Sequence, residues 1–351
     1  MIPERIPTPA YMRQKPNRRS ITIQDVAKTA GVSVSTVSRV LNDKDDVAFE
    51  TFEKVQRVID ELKYASSLAA RGMRSHRTHV IGLVMPDVAS PYCIEIMAGV
   101  NRVISQSDYH LLIYTNGDFK KYNNENQESQ FVMLINGSIT DGAIVVTPQT
   151  TNFFTTAPLV IIDPNHEAPD SPAILSTNRE GALDAMNYLI RLGHQRIGFI
   201  TGQLHLLSAV HRLQGYKDGL AAAGIAVDED LIQTGDFTTE TAAFCTRKLL
   251  ALNQPPTAIF ASNDMSAMGV YQTAQLVGVC IPKDLSVIGF DNLREATFLK
   301  PPLTTIDQSI TEMGAIATEL LIKLLKGETL EKKLHILTTT LVIRESCRPL
   351  I

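Results

Sequence analysis

The sequence predicts two kinds of structure in one chain: an all-α helix-turn-helix head, then an α/β body with parallel sheets in two lobes. Three observations predict it. Residues 22–64 carry three short helical stripes separated by turn residues. From Val80 onward, seven β-branched runs, VIGLVMP, LLIYT, GAIVVTP, PLVIID, RIGFITG, TAIFAS and LSVIGFD, alternate with amphipathic helical stretches, the pattern of parallel strands joined by right-handed crossovers. That alternation continues for about 270 residues, long for one sheet, so two lobes are expected.

Composition bounds the function classes. The 351 residues are 44% hydrophobic and 20% charged, ordinary for a globular chain. No apolar run approaches the roughly 18 residues of a membrane helix. The opening MIPERIPTPAYMRQKPNRRS is polar and Pro-rich without an apolar core, so no secretory signal is expected. Cys93, Cys245, Cys280 and Cys347 are far apart and form no CxxC, which suggests neither a disulfide framework nor zinc, and hence a reducing, cytoplasmic setting. Residues 1–78 carry 14 Lys and Arg against 9 Asp and Glu, a net +5; the remainder is −9, giving the chain its −4. A basic head on an acidic body is the footprint of a nucleic-acid-binding module joined to something else.

The elements of the head follow in order. Residues 1–21, with three prolines in the first nine, read as a disordered basic tail. Residues 22–64 read as the helix-turn-helix domain. Thr22 and Asp25 make a capping box, and Ile23, Val26, Ala27 and Ala30 form one stripe. Gly31 ends that helix and Ser33 caps the next. A third helix shows Phe52, Val55, Ile59 and Leu62 on one face. Residues 65–78, ASSLAARGMRSHRT, form a small-residue, Arg-rich connector.

The second helix, GVSVSTVSRVLND, is made of poor helix formers, which points to a use other than stability. On a helical wheel Val37, Val40 and Leu41 face the first helix, while Ser35 and Arg39 face away. Val34, Thr36 and Ser38 lie on the flanks. Short side chains let a backbone approach the DNA major groove. Hydroxyls bond phosphates or base edges, and Arg forks onto guanine O6 and N7. A helical bundle that docks another protein is the competing reading; the charge asymmetry and the Gly-containing turn favour DNA.

TIQDVAKTAGVSVSTVSRVLND resembles, in register, the helix-turn-helix signature of the lactose-repressor/galactose-repressor family. The resemblance implies base reading by Val34, Ser35 and Arg39, with Thr22, Thr36, Ser38 and Asn42 among the other DNA contacts. It also implies that residues 65–78 contain a hinge helix that enters the minor groove. There Ala70 would touch DNA and Met73 would stand where the family has a wedging leucine; Ser66 replaces the family's proline, and Gly72 weakens the helix.

The body, 79–351, resembles the two-lobed fold of periplasmic sugar receptors through VIGLVMPDVASPY, LGHQRIGFITG, RLQGY, ASNDMSAMG, LSVIGFDN and PPLTTIDQ. The implied lobes are 79–175 with 308–337, and 176–307 with 338–351. Ligands of such folds lie between lobes at the carboxyl ends of strands. Asp163 ends PLVIID and Asp291 ends LSVIGFD, where a carboxylate accepts two hydroxyls. Arg212 opens RLQGY, and Asn263 follows TAIFAS with both donor and acceptor. Phe237 and Tyr92 stand at positions where the family has aromatics; from sequence alone both also fit a core. Asp264 is expected to cap the following helix, and His194 to order a turn.

GxGxxG, a Walker GxxxxGK[ST], HExxH and GxSxG are all absent, and eight histidines show no ligand spacing, so no enzyme, catalytic residue, metal or cofactor is expected. The expectation is a DNA-binding transcriptional repressor. Its partners are a pseudo-palindromic double-stranded operator, a second copy in a homodimer, and a small polar effector between the lobes, with no membrane. A sugar is favoured, a nucleoside or purine is the alternative, and a solute receptor without a DNA role is the rival class. The chain ends without a sustained leucine heptad, so the extra tail that makes some family members tetramers is not expected.

Overall fold

The computed structural model describes residues 21–41, 46–64, 77–115, 125–137, 139–151 and 153–350. Nearly all of the expected tail and hinge, with Asn42, Ala70 and Met73, lies outside them. The chain divides into two compact units, 1–76 and 77–351.

Among its described residues, the first unit has three helices: α1 (Ile23–Ala30), α2 (Val34–Leu41) and α3 (Phe49–Leu62). Thr22 and Asp25 close a reciprocal capping box on α1, and Gly31 ends it in the left-handed region at φ 64°. Ser33 Oγ accepts from the Thr36 amide at 3.1 Å, capping α2. Val26, Ala27, Ala30, Val37, Val40, Val55, Val58 and Ile59 form the core. Val58 is the addition to the expected stripe; Phe52 and Leu62 are only partly buried. The weak propensity of α2 is offset by this packing.

The second unit contains two parallel sheets. In order it runs β1 (Val80–Val84), α4 (Pro91–Ile104), β2 (His110–Tyr114), α5 (Glu125–Ile135), β3 (Gly142–Val146), β4 (Leu159–Ile162), β5 (Ala173–Ser176) and α6 (Asn178–Arg191). Then come β6 (Ile197–Ile200), α7 (Leu207–Ala222), β7 (Ile232–Gln233), α8 (Thr239–Leu250), β8 (Ala258–Ala261), α9 (Asp264–Val277) and β9 (Ser286–Ile288). Last are β10 (Thr305–Asp307), α10 (Ile310–Leu325), β11 (Leu334–Leu337) and β12 (Thr340–Val342).

The first sheet has order β11-β5-β4-β3-β1-β2 and the second β7-β6-β8-β9. β1, β3, β4, β6 and β8 are buried along their whole length, which explains their continuous apolar runs. Helices α4 and α10, which share the first sheet's core, pack closely on each other because Gly99 and Gly314 lack side chains; a Cβ on either would strike the other helix's backbone.

The five strands absent from the expected runs are β5, β7, β10, β11 and β12. β7 has two residues, and β10 and β12 three each, too short to leave a periodic signal. β10 and β12 form an antiparallel ribbon where the chain passes between the sheets. Side chains lace these passages together. The Ser176 hydroxyl donates to Gln308 Oε1 at 2.9 Å, and the Thr339 amide donates to Thr177 Oγ1 at 2.9 Å.

Candidate functional site

On α2 the exposed side carries the residues expected to read DNA. Val34 is 43% exposed, Ser35 and Arg39 are exposed, and Thr36 and Ser38 are half-buried. The Ser33 hydroxyl lies 2.7 Å from Ser35 Oγ and 2.8 Å from Thr36 Oγ1, so the start of the helix is a connected patch of hydroxyls. Arg39 Nε lies 3.5 Å from Asp46 Oδ2, with both side chains more than half exposed, a surface pair worth about 1 kcal/mol or less. Thr22 is exposed, but its hydroxyl donates to Asp25 at 2.7 Å, so its first role is the cap.

In the second unit, Tyr92, Asp163, Arg212, Phe237, Asn263 and Asp291 all line one cavity of about 290 Å³. Asp163 and Asp291 follow the carboxyl ends of β4 and β9, strands of different sheets. Both have positive φ, 54° and 120°, a backbone region that favours glycine and here turns each carboxylate at a strand end. Arg212 comes from α7 and is 4% exposed.

Arg212 is bound into the protein more fully than a group held open for a ligand. Nε donates to Asn178 Oδ1 at 2.8 Å, Nη1 to the Ser262 carbonyl at 2.6 Å, and Nη2 to Gln308 Oε1 at 3.5 Å. Its guanidinium carbon stands 3.8 Å from the centre of the Phe290 ring. These contacts fix its plane against one wall of the cavity.

The carboxylates are held at a cost. Burial pushes Asp291 up to about 7, against the attraction of Arg212 and the hydrogen bond from Gln308, while Asp163 pushes it further. Burial also raises Asp163, with Arg212, Ser208 and His211 acting against it. The Tyr92 hydroxyl is buried and has no hydrogen-bond partner. An unsatisfied buried hydroxyl costs about 1–3 kcal/mol, which a ligand hydroxyl would recover.

One expectation needs correcting. Asn263, not Asp264, caps α9: its Oδ1 accepts from the Ser266 amide at 2.9 Å. Its Nδ2 donates to the Phe237 carbonyl at 3.2 Å, so both halves of this amide already serve the protein. Asp264 is the buried first residue of α9. It accepts from the Leu293 amide at 2.8 Å and the Thr305 hydroxyl at 2.6 Å, clamping the loop that carries Asp291. Burial and the neighbouring Asp291 raise it well above the usual carboxylate range. Phe237 lies on the cavity wall, and its ring occupies the space a side chain on Gly202 would need.

His194 does order its turn. It is buried with Nε2 donating to the Arg348 carbonyl at 3.1 Å and Nδ1 paired with the Thr257 hydroxyl at 2.9 Å. Gln308 and Ser208 also line the cavity and are not among the residues expected from sequence; PPLTTIDQ contains the first, but an uncharged residue after a three-residue strand gives little signal. No cluster of His, Cys, Asp and Glu suited to a metal occurs among the described residues, and no helix there is long and apolar enough to cross a membrane.

Comparison with known proteins gives two family-model matches. Residues 22–67 match the family model for bacterial regulatory proteins of the lacI family, and residues 186–347 that for a periplasmic binding protein-like domain. The ribose operon repressor of Haemophilus influenzae is 35% identical over 93% of this chain and 98% of its own. The HTH-type transcriptional repressor CytR of Escherichia coli is 34% identical over 97% and 100%, and PurR of Vibrio atlanticus 32% over 94% and 99%. Among solved structures, the lac repressor dimer bound to operator and the anti-inducer ONPF matches with TM-score 0.80 at 25% identity, over 94% of this chain and all of that one. The CelR–cellobiose complex matches with TM-score 0.68 at 30% identity, over 93% and 99%. The chain belongs to the lacI family of bacterial regulatory proteins, and is a DNA-binding transcriptional regulator whose body is an effector-binding domain.

Proposed function

We propose that this regulator is a cytoplasmic repressor without catalytic activity. Two copies bind a pseudo-palindromic operator, and an uncharged, hydroxyl-rich metabolite, a sugar, sets their affinity from the cavity between the sheets. The observation that carries the ligand reading is the pair of carboxylates, Asp163 and Asp291, on opposite sheets with the unpartnered Tyr92 hydroxyl in the same cavity. Carboxylates accept from hydroxyl donors. The described lining has four carboxylates, Asp87, Asp163, Asp236 and Asp291, against the one guanidinium of Arg212. Even with Asp163 and Asp291 raised by burial, this carboxyl-rich lining offers one cation, Arg212, already bound by protein groups, and so disfavours sugar phosphates. The relatives that regulate a ribose operon and that bind cellobiose support the same reading.

A nucleoside is the second reading. It is favoured by Phe237 and Tyr92, which line the cavity and are of the side-chain type on which a base stacks. On the DNA side, Val34, Ser35 and Arg39 read bases and Thr22, Thr36 and Ser38 support them. Asn42, Ala70 and Met73 keep their proposed contacts by family resemblance. Thermal-shift screening of the full chain against sugars, sugar phosphates, nucleosides and purines tests the ligand class, since stabilisation follows RT ln(1 + [L]/Kd). A gel shift on genomic fragments with and without the stabilising compound tests the regulator. Stabilisation by sugar phosphates alone would overturn the ligand reading.

A further inference from the structure

We propose that the loop between β4 and β5 is a clasp that holds the cavity shut, and that Asn165 is its positioning residue. Two alternate residues of this loop, Asn165 and Glu167, engage the start of α7. The Leu207 amide donates to Asn165 Oδ1 at 2.9 Å, and His211 Nε2 lies 3.6 Å from Glu167 Oε1. Pro164, the residue before Asn165, is buried and fixes its own φ.

The Asn165 contact is unusual in where it comes from. The N-cap of α7, Leu206, has no side chain able to satisfy the first amides, whereas α8 and α9 are capped locally by Thr238 and Asn263. The cap of α7 is instead supplied by a loop of the first sheet. Opening the cleft removes it and returns the Leu207 amide to water. Since α7 carries Ser208 and Arg212 into the cavity, a cap that exists only in the closed form ties the placement of both side chains to closure.

The purpose of the clasp rests on the effector reading above; its existence does not. The test is amide hydrogen exchange of the ligand-free full chain, comparing wild type, Asn165→Ala and Asn165→Asp. Asp keeps an acceptor at the same place, so it should behave as wild type within about two-fold. Ala should speed exchange at the start of α7 by roughly five-fold or more, with the second half of α7 and the β8 amides unchanged. Equal exchange in wild type and Ala overturns the clasp. So does an increase shared by Ala and Asp, or one spread evenly through the body, which marks a merely structural residue. Because no ligand is present, a failed sugar screen leaves this result standing.

Discussion

Arg212 Nη1 and Asp291 Oδ1 lie 3.6 Å apart, beyond full hydrogen-bond contact, and Gln308 joins them. Its Nε2 donates to Asp291 Oδ1, and its Oε1 accepts from Arg212 Nη2 and from the Ser176 hydroxyl. One neutral amide thus links both charged groups of the cavity wall to a passage between the sheets.

Replacing Gln308 with Leu removes that link at similar volume. A buried hydrogen bond to a charged group contributes about 1.5–3 kcal/mol, so effector affinity should fall roughly 10- to 100-fold. Operator affinity without effector should change little, because no proposed base-reading residue is touched. Calorimetry with the stabilising ligand and a fluorescence-anisotropy titration of operator check the two halves. Similar losses in both would mean that Gln308 is structural.

The raised carboxylates give a pH dependence with a definite sign. An Asp that titrates near 3.8 when unfolded and near 7 when folded keeps its proton longer in the folded state. Stability of the ligand-free chain should therefore fall as pH rises from about 4 to about 7, by at most about 4 kcal/mol from Asp291. Asp291→Asn should flatten that slope and raise the melting temperature at pH 8, while abolishing the ligand response. Denaturant titrations at pH 5 and pH 8 measure it; an unchanged slope in the variant would assign the effect to other groups.

Arg39→Ala should weaken operator binding by about 1–3 kcal/mol and relax base choice at one position of each half-site. Asp46→Asn, which removes the partner of Arg39 at the surface, should change folding stability by less than about 1 kcal/mol. Binding to a panel of single-base operator variants reads the first, and urea unfolding the second. A uniform loss across all sequences would reduce Arg39 to a phosphate contact.

Gly99→Ala should destabilise the body by about 1–3 kcal/mol, because the new methyl meets the Thr311 carbonyl of α10. Urea unfolding followed by far-UV circular dichroism reports it. A neutral result would mean that α4 and α10 separate easily.

Much of this molecule is legible in its sequence because burial leaves a mark. The seven expected apolar runs correspond to β1–β4, β6, β8 and β9, most of them buried on both sides. Asp163 and Asp291 stand out as charges at the ends of such runs. Gln308 and Ser208 do not, since uncharged polar residues are common in any loop and only the fold brings them to the cavity. Asn263 has a second duty for a related reason: a residue able to meet a ligand is equally able to cap a helix, and here it caps α9 while lining the cavity. Asn165 leaves no local trace at all, because the helix it caps begins 42 residues later.

Coupling between cavity and operator is the centre of the account, and linkage makes it reciprocal. The direct measurement is the operator affinity of the full chain at fixed salt, with and without the compound that most stabilises it, together with the affinity for that compound on and off the operator. The expected result is one common factor, roughly 5- to 150-fold, in both titrations. A compound that fills the cavity and stabilises the chain yet leaves operator affinity unchanged would contradict it.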